Sequence, residues 1–172
     1  MKIVLIGYMA SGKSTIGKLL AHNMYLPFID LDQYIEEKEG KTISEIFEDK
    51  GEIYFRYQEH FYLKELLASE NKFVLSLGGG TPCYAGNMKL ISDNEGSKSI
   101  YLQASIKTLT ERLTNKKEKR PLVAELSNEK LTEFVAKHLF ERREFYEQSN
   151  FKIKVDDKEI NEIVTELRVL LH

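Results

Sequence analysis

Gly7, Gly12, Lys13 and Ser14 are spaced as G-x-x-x-x-G-K-[ST], a pattern whose chemistry is that of a polyphosphate cradle. Gly7 and Gly12 lack Cβ atoms, so the backbone can curl and turn successive N–H groups inward as an anion nest. A helix beginning near Lys13 adds the positive end of its dipole. In this reading Lys13 bridges the β- and γ-phosphates, the Ser14 hydroxyl ligates Mg²⁺, and Ala10, Ser11 and Thr15 complete the loop. The competing reading is an ordinary glycine-rich turn. The motif has the context it requires, however: the apolar run Lys2-Ile3-Val4-Leu5-Ile6 precedes it and the helix-compatible Ile16-Gly17-Lys18-Leu19-Leu20-Ala21 follows. A nucleotide is implied; the reaction is left open.

Other residues could supply that reaction. Asp30 and Asp32 end the short apolar run Pro27-Phe28-Ile29. If the backbone stays extended there, both carboxylates face one space at the C-terminal end of a strand, where open α/β sheets bind ligands. Otherwise the two acids cap a helix over Gln33–Lys38. Arg56 and Glu59 are i,i+3 neighbours on a helix, close enough to pair, and a surface ion pair is the plain alternative. Gly78, Gly79 and Gly80 follow a strand; they suit either close approach of a ligand to backbone or a flexible turn. Asn115 to Pro121 is a charged stretch that cannot remain helical through Pro121, and a basic loop of this kind can serve as a lid. On the helix expected from Ser127 to Gln148, Arg142 falls eleven residues after Leu131 and shares its inward face, whereas Arg143 is turned about 100° away.

These residues need a scaffold, and the hydrophobic pattern supplies one. Strands are expected at Lys2–Ile6, Pro27–Ile29, Lys72–Leu77, Ser99–Leu102 and Phe151–Val155, with helices between them. Gly40 should end one helix, and Thr42-Ile43-Ser44-Glu45 reads as a capping box opening a short one. A longer helix follows from Glu52 to about Ser69, with Phe55, Tyr62 and Leu66 inward. Ile106, Leu109 and Leu113 mark the core face of another. Ile160, Ile163, Val164, Leu167 and Leu171 make a closing amphipathic helix. This alternation is an α/β pattern, and 172 residues suit one domain.

Composition narrows the partners. The net charge is -2, with both signs interspersed, so neither nucleic acid nor an anionic membrane is an expected partner. Cys83 is the only cysteine, which rules out a disulfide within the chain and suits a reducing, cytoplasmic setting. No apolar run approaches the ~20 residues of a membrane span. His22, His60, His138 and His172 show no metal-ligand spacing. Asn115-Lys116-Lys117-Glu118 and Asp93-Asn94-Glu95-Gly96 imitate GTPase elements but lack the right residue or context.

Taken in order and spacing, Gly7–Ser14, Asp30-x-Asp32, Phe55-Arg56-x-x-Glu59, Leu77-Gly78-Gly79-Gly80, Arg120-Pro121-Leu122 and Arg142-x-x-x-Tyr146 resemble the shikimate kinases over nearly the whole chain. The resemblance implies a three-layer P-loop kinase fold: a five-stranded parallel sheet of order 2-3-1-4-5 with helices on both faces, a substrate-binding helical segment at about 31–61, and a mobile lid at about 114–124. It implies phosphorylation of the shikimate 3-hydroxyl by ATP with Mg²⁺, by a monomer. By matching positions, Asp32, Arg56, Gly78, Gly79, Gly80 and Arg142 hold shikimate, and Glu59 orients Arg56. Asp30 supports the metal through water, Arg120 comes from the lid to the phosphates, and Arg112 lies against adenine. The chain departs from the pattern in two places. Arg143-Glu144-Phe145 stands where many relatives carry Pro then Leu, and the loop Asp156-Asp157-Lys158-Glu159 lacks an arginine that some members place near the nucleotide, a role open to Lys158. A gluconate kinase and a regulatory nucleotide-binding module are the competing functions.

Overall fold

The computed structural model describes residues 1–116 and 123–172; Arg120, Pro121 and most of the expected lid lie outside the described residues. Five strands, β1 (Lys2–Ile6), β2 (Phe28–Asp30), β3 (Phe73–Ser76), β4 (Ser97–Gln103) and β5 (Phe151–Lys154), pair in parallel in the order β2-β3-β1-β4-β5. The helices are α1 (Lys13–Asn23), α2 (Leu31–Glu39), α3 (Ile43–Ala68), α4 (Asn87–Ser92), α5 (Ile106–Asn115), α6 (Asn128–Tyr146) and α7 (Ile160–Leu171).

The sheet is covered on both faces, which is why β1 is apolar at every position after Lys2 rather than alternating. Successive side chains still part company. Ile3 and Leu5 pack with Ile16 and Leu20 of α1 and Ile163 and Leu167 of α7. Val4 and Ile6 pack on the opposite side with Leu31 of α2, Leu63 of α3 and Leu109 of α5. The period of two in a strand thus divides one run between two cores. Because β1 is central, with chain connections leaving to either side of it, its C-terminal end is the natural ligand crevice of an open sheet.

Local signals account for several boundaries. Gly40 closes α2 in the left-handed conformation (φ 65°), and Thr42 opens α3 through a capping box in which its side chain accepts from the Glu45 N–H while the Glu45 carboxylate accepts from the Thr42 N–H. The expected break between a short and a long helix is present inside α3, where Gly51 leaves helical geometry (φ 84°, ψ 174°). Two expectations need correction. Helix α2 begins at Leu31, two residues earlier than expected, so the backbone is extended only as far as Asp30 and turns helical before Asp32. Asp30 is its N-cap, with Oδ1 accepting from the N–H groups of Asp32 (3.0 Å) and Gln33 (3.3 Å). Ile106, expected on the core face of α5, is 38% exposed because it occupies the first helical position, before the periodic face at Leu109 and Leu113 is established. Among the described residues no helix is long and apolar enough to cross a membrane.

Candidate active site

The loop after β1 is held in two left-handed turns, at Ala10 (φ 65°) and Gly12 (φ 97°), the second of which caps α1. Gly12 is therefore needed for its dihedral. Gly7 is needed for space: a Cβ there would lie 2.7 Å from Ser11 Oγ and 3.0 Å from the Leu102 carbonyl oxygen. Lys13, 9% exposed, donates from Nζ to the carbonyl oxygens of Gly7 (2.7 Å) and Tyr8 (3.0 Å). The cation is thus placed at the concavity of its own loop before any phosphate arrives. Arg112 of α5 crosses over from the far side, with Nη1 donating to the Ala10 carbonyl oxygen at 3.0 Å.

A cleft of 510 Å³ opens at this loop and runs across the C-terminal end of the sheet. Its walls include Lys13, Ser14, Asp30 and Asp32 on one side and Arg112 and Lys158 on the other. Ala10, Gly12 and Thr15 also line it, as do Gly78 and Gly79. Lys158 is engaged with Glu166 at 2.8 Å, so its ammonium enters the cleft wall already paired. The Ser14 hydroxyl donates to Asp30 Oδ2 at 3.3 Å. These are hard oxygen donors side by side, the type Mg²⁺ takes directly or through water, so the residues present suit such an ion beside a nucleotide. No group of three or more His, Cys, Asp or Glu side chains suited to a metal occurs among the described residues.

The acidic pair reaches the cleft by a different local geometry from the one its spacing suggested. Asp30 is fixed as the helix cap while Asp32, in the first turn of α2, turns toward Gly78, where an added Cβ would lie 3.3 Å from Asp32 Oδ1. Burial raises the Asp32 carboxyl to about 6, reinforced by the neighbouring negative charges of Asp30 and Glu59 and opposed by Lys13.

The three glycines after β3 abut polar side chains. A Cβ on Gly78 would meet Thr81 Oγ1 at 3.1 Å as well as Asp32; one on Gly79 would stand 3.1 Å from Arg142 Nη1 and 3.4 Å from the Met9 amide nitrogen; one on Gly80 would stand 3.0 Å from Arg56 Nη2. Gly79 therefore touches the phosphate loop and an arginine at once. Its carbonyl oxygen is held by the Tyr146 hydroxyl at 2.5 Å, from the last turn of α6. Arg56, Gly80 and Arg142 do not line the cleft itself; they adjoin it through this turn.

Both arginines are pre-placed. Arg56 donates from Nη1 to Glu59 Oε1 at 2.9 Å, and since Glu59 is only 1% exposed this is not a surface ion pair. The guanidinium lies over the Tyr84 ring at 3.9 Å. Its Nε is buried with no hydrogen-bond partner among the described residues, the Glu52 carboxylate standing 3.8 Å away, beyond bonding reach. Arg142 lies over the ring of Tyr8 at 5.5 Å, while the Tyr8 hydroxyl bonds His138 Nδ1 at 2.9 Å. The side chain of Arg143, about 100° further round the helix, is 74% exposed. Cys83 lies within the electrostatic reach of both arginines; burial pushes its thiol up to about 11 despite them. The spacing of α6 was enough to separate Arg142 from Arg143. Tyr8, Tyr84 and Thr81, which hold the arginines in place, carried no comparable signal, because each becomes a neighbour only through contacts remote in sequence.

A phosphate-binding type of loop that meets two arginines and a carboxylate across one glycine turn, on a parallel sheet of this order, is the arrangement of a small-molecule kinase of the P-loop class. A family model described as shikimate kinase matches residues 9–171. A shikimate kinase from Flavobacterium psychrophilum is 52% identical over 170 residues, covering 99% of this chain and 98% of the relative. Among solved structures, shikimate kinase from Bacteroides thetaiotaomicron superposes with a TM-score of 0.91 at 36% identity, covering 99% of this chain and 98% of that one. Shikimate kinase from Acinetobacter baumannii, solved in complex with shikimate, does so with a TM-score of 0.85 at 29% identity, covering 99% and 92%. The chain belongs to the shikimate kinase family.

Proposed function

We propose that the cleft and the adjoining region of Arg56, Gly79 and Arg142 are the ATP and shikimate sites of an ATP-dependent shikimate kinase, and that the γ-phosphoryl group passes in line between them to the 3-hydroxyl. Membership of the family carries the reaction. The residue roles rest chiefly on one observation: Gly79 lies against both the phosphate loop and Arg142, so donor and acceptor would meet within a single residue's width. Gly7, Ala10, Ser11, Gly12, Lys13, Ser14 and Thr15 are assigned to the phosphates, and Arg112 to the adenine side. Ser14 and Asp30 would hold Mg²⁺, which supplies charge neutralisation to the β- and γ-phosphates. Arg120, outside the described residues, is assigned to the phosphates by its place in the family pattern alone. Cytoplasmic residence and action as a monomer are part of the same proposal.

On the substrate side, shikimate offers a carboxylate and vicinal hydroxyls. Arg56 keeps an Nε without a hydrogen bond and Arg142 stands against Gly79, so two guanidinium groups are available to a carboxylate, while Asp32 and the Gly78–Gly80 backbone suit hydroxyls. Removing either arginine should cost about 1.5–3 kcal/mol of shikimate affinity, as for other hydrogen bonds to charged groups. Calorimetric titration of Arg56→Ala and Arg142→Ala with shikimate checks this. An unchanged dissociation constant in Arg142→Ala would remove it from the clamp, and Arg143 would be the next variant to make. The function as a whole is tested by coupled ADP release across shikimate, gluconate and nucleoside monophosphates. Turnover should require shikimate; equal or better rates with gluconate or a nucleotide acceptor would overturn the reading.

A further inference from the structure

Glu59 is the best-buried carboxylate near the proposed shikimate site, and its two oxygens go to different partners. Oε1 accepts from Arg56 Nη1 at 2.9 Å, and Oε2 accepts from the Thr81 hydroxyl at 2.7 Å. Thr81 is itself fully buried, in the turn Thr81–Cys83 that follows the three glycines. Its N–H donates to the Gly78 carbonyl oxygen at 3.1 Å. Its own carbonyl oxygen accepts from Asn87 Nδ2 at 2.9 Å, and Asn87 Oδ1 is bonded to His60 Nδ1 at 2.7 Å. An amide oxygen only accepts, so the His60 proton lies on Nδ1. The network therefore runs from α3 through the glycine turn to α4 and back to α3.

The partition of Glu59 has a chemical consequence. A carboxylate and a guanidinium left to themselves form a two-pronged pair, with both oxygens on two N–H groups. Here the Thr81 hydroxyl donates to Oε2 and holds the carboxylate in a rotation in which only Oε1 meets Arg56, so Arg56 is held by a single prong. Its Nε stays without a hydrogen-bond partner among the described residues. A buried donor in that state is costly unless a ligand satisfies it.

We propose that Thr81 is a positioning residue for substrate binding, which confines Glu59 to a one-pronged bond with Arg56 and so reserves the remaining guanidinium donors for the carboxylate of the acceptor. This rests on the assignment of Arg56 to that carboxylate. Without the hydroxyl, Glu59 is free to turn both oxygens onto Arg56 and withdraw it from the substrate. Tyr84, stacked on the guanidinium face, fixes its plane but does not choose which donors are free.

The test is kinetic and uses Thr81→Val, which keeps the branched shape, with Thr81→Ala as a second hydroxyl-free variant should the first fail to fold. kcat/KM for shikimate should fall about tenfold, the scale of one lost hydrogen bond to a charged group, while KM for ATP and kcat stay within about twofold, since the hydroxyl acts on ground-state binding. Thr81→Ser should restore kcat/KM. In an Arg56→Ala background, Thr81→Val should add little further loss, because its route to the substrate is gone. An unchanged kcat/KM in both hydroxyl-free variants, failure of serine to rescue, or the same fold-loss with and without Arg56 would each overturn the proposal. A normal kcat/KM in Arg56→Ala alone would instead overturn the arginine assignment, and the role of Thr81 with it.

Discussion

Lys13→Met should abolish turnover while leaving the fold intact. The ammonium group sits over the phosphate loop, held by the carbonyl oxygens of Gly7 and Tyr8, so the loop presents a fixed positive charge without having to reorganise. Phosphoryl transfer leaves a protein little covalent work; rate comes from position and from stabilising charge on the transferring group. Loss of one such cation is expected to lower kcat by about three orders of magnitude or more, in line with other transition-state cations in phosphoryl transfer. Methionine retains most of the apolar stem, and the side chain it replaces is nearly buried, so packing survives. The loop's Gly7 and Tyr8 carbonyl oxygens would be left to water and phosphate-bound cations, which makes weaker nucleotide binding a secondary effect. ADP release measured beside a thermal melt checks both halves. A folded Lys13→Met protein that still forms ADP at a substantial rate would show that the loop does not carry the chemistry.

How far the site could be read from the sequence depended on whether its signals were local. The phosphate loop is local in every respect: strand, glycines, lysine and hydroxyl lie within the first fourteen residues. The capping box at Thr42 and the end of α2 at Gly40 are local too, and both stand where the residue types placed them. Strand order is not local, and it came from resemblance to a family rather than from periodicity. The acidic pair shows how a local argument can reach the right space by the wrong route. Extended backbone would have pointed Asp30 and Asp32 the same way; instead Asp30 caps α2 and only the helix start at Leu31 brings Asp32 into the cleft. Capping was the stronger local force, because an N-terminal helix turn has unsatisfied N–H groups and an aspartate beside them. Least legible were Thr81, Asn87 and Tyr84. Their types are ordinary, and their meaning appears only when the turn after β3 is folded against α3.

Asp32→Asn should separate binding from turnover and activity from stability. In-line transfer needs the acceptor hydroxyl directed at the γ-phosphorus, and an acceptor within hydrogen-bond reach fixes that direction. Asp32 is placed for this, against Gly78 and in the same cleft as Lys13 and Ser14, while Asp30 is committed to the helix cap and to the Ser14 hydroxyl. Asparagine keeps the size and one acceptor oxygen but loses the charge, so kcat is expected to fall by about two or more orders of magnitude, the range for a positioned acid–base group, with shikimate binding weakened much less. The carboxyl is raised from 3.8 to about 6 chiefly by burial. Since kcat/KM follows the ionisation of the free enzyme, its value for shikimate should rise with pH to half its maximum near pH 6 and level off above it, and that limb should vanish in the variant. The raised carboxyl also sets a stability effect. The folded protein holds this proton more tightly than the unfolded chain, so the contribution of Asp32 is most favourable below pH 3.8 and is lost as pH rises through about 6. At pH 8 the ionised, largely buried carboxylate destabilises the fold, and Asp32→Asn should therefore be more stable than the parent by about 2–3 kcal/mol, since each tenfold difference in proton affinity between folded and unfolded chain is worth about 1.4 kcal/mol. That advantage should shrink toward zero at pH 4. Denaturant melts of the two proteins at pH 4, 6 and 8 measure it directly. Near-normal kcat together with a pH-independent stability difference would mean that Asp32 is neither buried as a charge nor used on the hydroxyl, and Asp30 would become the next candidate for orienting the acceptor.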